Sequence, residues 1–201
     1  MIKRNLLVMG LALVLSACGF QLRGTGSQEL SIKELDLSAR DAYGTTVKMM
    51  RQILESSGVD VHAGAPYKLV LVSEAENQRN LSYSGGGRSA EYEISMVLNY
   101  QIRTRDNLQL LSDKLQVQKV FLHDGNNITG SDQEAAETRR EMRRDLVQRM
   151  LIRLQLLSPE QLAQLQATAE AKAKAEAQAL EAARKAEAET PRQSPLELPN
   201  Q

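Results

Sequence analysis

Tyr92, Ile94, Met96, Leu98, Tyr100 and Ile102 place an apolar side chain at every second position, and Glu91, Glu93, Ser95, Asn99, Gln101 and Arg103 alternate with them. A helix turns once every 3.6 residues and would scatter such a set around its circumference; only a strand, with its period of two, brings all six to one side. The pattern predicts a long strand with one buried and one wet face. Thr104-Arg105-Asp106-Asn107 supplies turn residues, and Leu111, Leu115, Val117 and Phe121 continue as a returning strand. The pair reads as a long antiparallel hairpin. Its apolar face must be covered by other elements of the chain.

Two helical stripes can provide the cover. Tyr43, Val47, Met50 and Leu54 recur at helical spacing, and Gly58 follows where the chain must leave the helix. Met142, Leu146, Met150, Leu154 and Leu157 form a second stripe, within a helix expected from about Asp132 to Leu156, with Ser131-Asp132-Gln133-Glu134 as a capping box at its start. Ile32–Leu37 is a short strand candidate, and Tyr67–Ser73 is apolar on both faces for part of its length, as an interior strand is. The order β-α-β-β-β-α predicts an α+β fold, a four-stranded mixed or mostly antiparallel sheet with two helices on one face.

Beyond this domain, Ser158-Pro159 restarts the chain as N-cap and first helical residue. Eleven of the 22 residues 167–188 are Ala, with Leu180 the only large apolar side chain among them. Such a segment has helical propensity but no stripe to bury. Residues 158–201 are therefore expected to be a helical or disordered tail that is dispensable for folding.

Chemistry-bearing constellations are scarce. His62 and His123 are the only histidines and have no second ligand at metal spacing. Ser84-Gly85-Gly86-Gly87-Arg88-Ser89 lacks the Gly-Lys-Ser/Thr end of a phosphate loop and leads into a strand, where a phosphate loop leads into a helix. No Ser sits in a G-x-S-x-G elbow. The run Arg139-Arg140-Glu141-Met142-Arg143-Arg144 alternates with acids at helical spacing and reads as a solvated face. Catalysis, metal binding and a bound cofactor are not expected.

The N-terminus says where the chain goes. Lys3 and Arg4 precede an apolar run, Leu6–Leu15, followed by small Ser16 and Ala17. That is an export signal, and the run is only about half of the ~20 residues a membrane-spanning helix needs. Leu15-Ser16-Ala17-Cys18 resembles the bacterial lipoprotein signal, which implies that residues 1–17 are removed and that the Cys18 thiol carries an S-diacylglyceryl group and its amine an N-palmitoyl chain; an ordinary signal peptide with a chance cysteine is the alternative. More than one acyl chain gives stable anchoring where one is marginal. By resemblance to the lipoprotein sorting rule of enteric-type bacteria, Gly19 in place of Asp favours transfer to the outer membrane. Without Lys3 and Arg4 the 25 basic residues fall to 23 against 25 acidic, so no strongly basic nucleic-acid surface is expected.

Cys18-Gly19-Phe20-Gln21-Leu22-Arg23-Gly24, Ala90-Glu91-Tyr92 at the opening of the long strand, and Ile152-Arg153-Leu154 near the end of the last helix resemble the LptE (RlpB) family of lipopolysaccharide-assembly lipoproteins. The resemblance covers residues 18–157. It implies a plug inside the outer-membrane barrel LptD that binds lipopolysaccharide, helps place it in the outer leaflet and supports assembly of the barrel. Family members carry basic residues in the loop before the Ala-Glu-Tyr strand and near the start of the last helix. Here the first place offers Arg88, with Arg79 further back. At the second stands Ser131, and Lys119 is the cation that the preceding strand can contribute. A generic outer-membrane lipoprotein scaffold without glycolipid contact is the alternative. An envelope hydrolase is disfavoured by the missing nucleophile and base.

Overall fold

The computed structural model describes residues 30–83 and 89–189. The elements are β1 (Glu34–Ala39), α1 (Thr45–Ser56), β2 (Asp60–Val61), β3 (Tyr67–Tyr83), β4 (Ser89–Thr104), β5 (Gln109–Asp124), α2 (Ile128–Gln155) and α3 (Pro159–Glu189). The fold is α+β, but the sheet has five strands in the order β2-β1-β3-β4-β5, and there are three helices. This corrects the expectation of four strands and two helices. The extra strand is two residues paired in parallel with Glu34 and Leu35, too short to show a period.

The alternation in β4 is realised as read. Ile94, Met96, Leu98, Tyr100 and Ile102 are all buried under the helices, and Leu115, Val117 and Phe121 join them from β5. Strand β3 is ten residues longer than its apolar stretch, and residues 74–83 (Glu-Ala-Glu-Asn-Gln-Arg-Asn-Leu-Ser-Tyr) carry no alternation to announce it. The antiparallel ladder to β4 holds them. A bulge between Leu71 and Ser73 reverses the parity of β3. Before it Leu69 and Leu71 face the helices, opposite Ile102 and Tyr100; after it Glu74, Glu76 and Gln78 do, opposite Leu98, Met96 and Ile94.

Helix α1 buries Val47, Met50 and Leu54 as its stripe predicts. Tyr43 does not belong to that stripe: it precedes the helix and is 86% exposed. Helix α2 starts earlier than expected, because Asn127 is the N-cap and its Oδ1 accepts from the Gly130 N–H at 3.0 Å. Ser131 is therefore inside the first turn and buried. Its Oγ accepts from the Asp124 N–H at 2.8 Å and donates to the Asp124 carbonyl at 3.3 Å, tying the helix start to the end of β5.

At α3 the cap is reciprocal. Ser158 Oγ accepts from the Gln161 N–H at 3.2 Å, and Gln161 Oε1 accepts from the Ser158 N–H at 3.0 Å. Leu162, 3% exposed, enters the core, and Leu165 and Ala169 pack against it. The core thus runs past the boundary expected at residue 158, because α3 folds back its first turns before leaving the body. From Glu170 to Glu189 every residue is exposed.

Candidate functional site

Covering one sheet face leaves the other bare, and the ladder register lays out what it presents. Ser73, Asn99 and Lys114 form one row across β3, β4 and β5; Ala75, Val97 and Gln116 the next; Asn77, Ser95 and Gln118 the third; Arg79, Glu93 and Val120 the fourth. Neutral polar groups dominate. Asn99 Nδ2 donates to Ser73 Oγ at 2.9 Å, and Ser95 Oγ donates to the Asn77 carbonyl at 3.4 Å. Val120 and Leu122 stand out as exposed aliphatics near the distal end. These central rows are wet and carry few charges.

The candidate cations are not brought together. Arg79 lies on the bare face, where its Nε and Nη2 donate to Glu93 Oε1 and Oε2 at 2.7 and 3.1 Å. This two-pronged contact raises the Arg79 pKa further above its ordinary value. Lys119 lies opposite Ile94 on the covered face and pairs with Glu141 of α2, whose carboxyl it holds below the usual carboxylate range through that hydrogen bond. The sheet stands between the two cations. Arg88 and Cys18 lie outside the described residues.

The arginine run of α2 divides. Arg140 and Arg144 pair with Glu137 on the helix surface, as a solvated face would. Arg139 and Arg143 instead reach the sheet: Arg139 Nε donates to Glu76 Oε1 at 2.6 Å and its Nη2 to Gln78 Oε1 at 3.2 Å, while Arg143 Nε donates to Glu74 Oε1 at 3.3 Å. Nothing in the sequence pointed to these pairs, since the bulge that turns Glu74 and Glu76 toward the helix has no sequence period. At the same end Tyr92 stacks on Phe121 with centroids 5.8 Å apart and meets the His123 ring edge-on at 5.7 Å. His123 is thus packed, and His62 lies 3.5 Å from Glu34 on the surface. No cluster of three metal-ligating residues occurs among the described residues.

A model of the LptE family, described as lipopolysaccharide-assembly, matches residues 32–154, which include the whole sheet and nearly all of α2. The chain belongs to the LptE family. It is 29% identical over 153 residues to the LPS-assembly lipoprotein LptE of Photorhabdus laumondii, covering 74% of this chain and 83% of that protein. The counterpart in Pectobacterium atrosepticum is 29% identical over 161 residues, 77% of this chain and 86% of that one. Among solved structures, rare lipoprotein B of Shewanella oneidensis shares the fold with a TM-score of 0.51 at 20% identity, over 70% of this chain and 98% of that one. A minor lipoprotein of Acinetobacter baumannii does so with a TM-score of 0.53 at 17% identity, over 61% and 90%. Among the described residues no helix is long and apolar enough to cross a membrane.

Proposed function

We propose that this LptE-family chain is an outer-membrane lipoprotein, anchored through acylated Cys18, that sits as a non-catalytic plug in an LptD-like barrel and assists lipopolysaccharide on its way to the outer leaflet. The family match over residues 32–154 carries the reading. The bare face supports it: rows such as Asn77-Ser95-Gln118 can exchange hydrogen bonds with a water-filled barrel wall without the cost of burying unpaired charge. Depletion should stop lipopolysaccharide reaching the surface and reduce folded barrel, and a photo-crosslinking residue at Ser95 should capture the barrel where one at Arg144 does so less. Unchanged lipopolysaccharide and barrel levels would overturn the proposal. Cys18→Ser should release a soluble or unprocessed species, with mass spectrometry of the native chain showing the acyl chains.

A scaffold role without glycolipid contact is the second reading, and the pairing of Arg79 with Glu93 and of Lys119 with Glu141 favours it, since a phosphate would have to compete with a carboxylate for each cation. Arg88 follows three glycines that let the backbone approach an anion closely. Under the glycolipid reading Arg88→Glu weakens lipopolysaccharide binding more than Arg144→Glu. Equal effects leave the scaffold.

A further inference from the structure

The first turns of α3 close one side of a half-open cleft of about 460 Å³ that the family-matched segment does not make alone. Its floor is aliphatic, with Ile102 and Leu111 from the hairpin, Leu154 from the end of α2, Leu157 from the connection that follows it, and Leu165 from α3. The volume lies within the ~300–1,000 Å³ of small-molecule sites. At the mouth, the Asp113 carboxylate is already supplied: it accepts from its neighbour Lys114 N–H at 2.8 Å and from the Tyr100 hydroxyl at 3.5 Å. Burial and the nearby Asp113 charge hold the Tyr100 hydroxyl above its ordinary pKa, so it stays protonated and keeps donating. Arg153 is the opposite case. Its guanidinium stands 3.8 Å from Asp113, half exposed, with no other ion pair or hydrogen bond among the described residues. Gln161 spends its carbonyl oxygen on the Ser158 N–H, which leaves its amide N–H groups to donate. Arg153 and Gln161 therefore offer N–H donors at the mouth, beside a floor lined by aliphatic side chains.

We infer that this cleft binds a single-chain anionic amphiphile, a long-chain fatty acid, with its tail on the floor between Leu111, Leu154 and Leu165 and its carboxylate on Arg153 and Gln161. The acid satisfies both halves of the site: the tail removes aliphatic surface from water, and a carboxylate accepts two parallel bonds from a guanidinium. The inference does not depend on the glycolipid reading, because Gln161 and Leu165 lie outside the matched segment and Ile102 of the floor lies far along the ladder from Arg79.

The test titrates the full mature chain, carrying Cys18→Ser, with dodecanoate below its micelle concentration and follows backbone NMR shifts. Saturable shifts around Leu111, Leu157 and Leu165 are expected. Arg153→Gln should weaken binding at least about fivefold, and Leu165→Trp, which fills the floor, should abolish it. Thr168→Trp at the exposed rim supplies a second readout should Leu165→Trp not fold: the chain has no other Trp, so dodecanoate should change its emission. Absence of saturable shifts, equal affinity in Arg153→Gln, or equally tight dodecyltrimethylammonium binding would each overturn the inference.

Discussion

Helices α2 and α3 are nearly equal in length, 28 and 31 residues, yet α2 buries eight residues and α3 only Leu162. Their sequences explain how both stand. Helix α2 contains Ile128, Thr129 and Gly130 in its first turn and is charged along most of its length, so its stability comes from the stripe Met142–Leu154 laid on the sheet. Helix α3 is alanine-rich, the best intrinsic helix former, and is supported along its exposed part by the i,i+4 pairs Lys172–Glu176 and Glu181–Lys185. Packing holds one helix, propensity the other. Leu162 is where α3 borrows from the first mechanism.

The sharpest way to break this contrast is to cut into each helix at its buried point. Leu154→Ala, at a fully buried position, should cost about 3 kcal/mol in denaturant unfolding; a loss under ~1 kcal/mol would show that α2 is not held by its stripe. Leu162→Ala should cost about 2 kcal/mol, and truncation after Leu157 should lower the melting temperature measurably, against the expectation from composition alone. Arg139→Ala should cost about 1 kcal/mol or less, with a coupling to Glu76→Ala that a double-mutant cycle can isolate. Truncation after Glu170 should leave stability within ~0.5 kcal/mol, since all that it removes is exposed. A larger drop would show the projecting helix docked after all.

Protonation bears on the contact of α2 with the sheet. Glu141 ties α2 to Lys119, and its folded pKa is depressed below the ordinary value. Its contribution is therefore complete above the unfolded pKa and is lost as pH falls through the folded one. Carboxyl NMR titration should find Glu141 low in the native chain and near the ordinary glutamate value in Lys119→Met.

Legibility followed burial. Where a run of residues packs against one side of the molecule, as in β4 or along Val47, Met50 and Leu54, the period is written into the sequence. Tyr43 has the right spacing, but it stands in the turn before α1 begins, so spacing alone misassigned it. Residues 74–83 form a strand through backbone pairing, which any sequence without proline can make, so no pattern marked them. The candidate site was partly legible. Arg79 and Lys119 were visible as cations, but their partners and opposite faces were not.

The sequence by itself determined the hairpin, the two apolar stripes, the restart at Ser158-Pro159 and the family, because each rests on local spacing or on residues close together in the chain. Only the tertiary structure decided which side chains those spacings bring together. The bulge at Val72 shifts β3 by one residue and turns Glu74 and Glu76 toward Arg143 and Arg139, and the fold-back at Leu162 builds the cleft at Arg153. A one-residue change of register or one return of the chain alters every contact downstream of it, and neither leaves a period in the sequence.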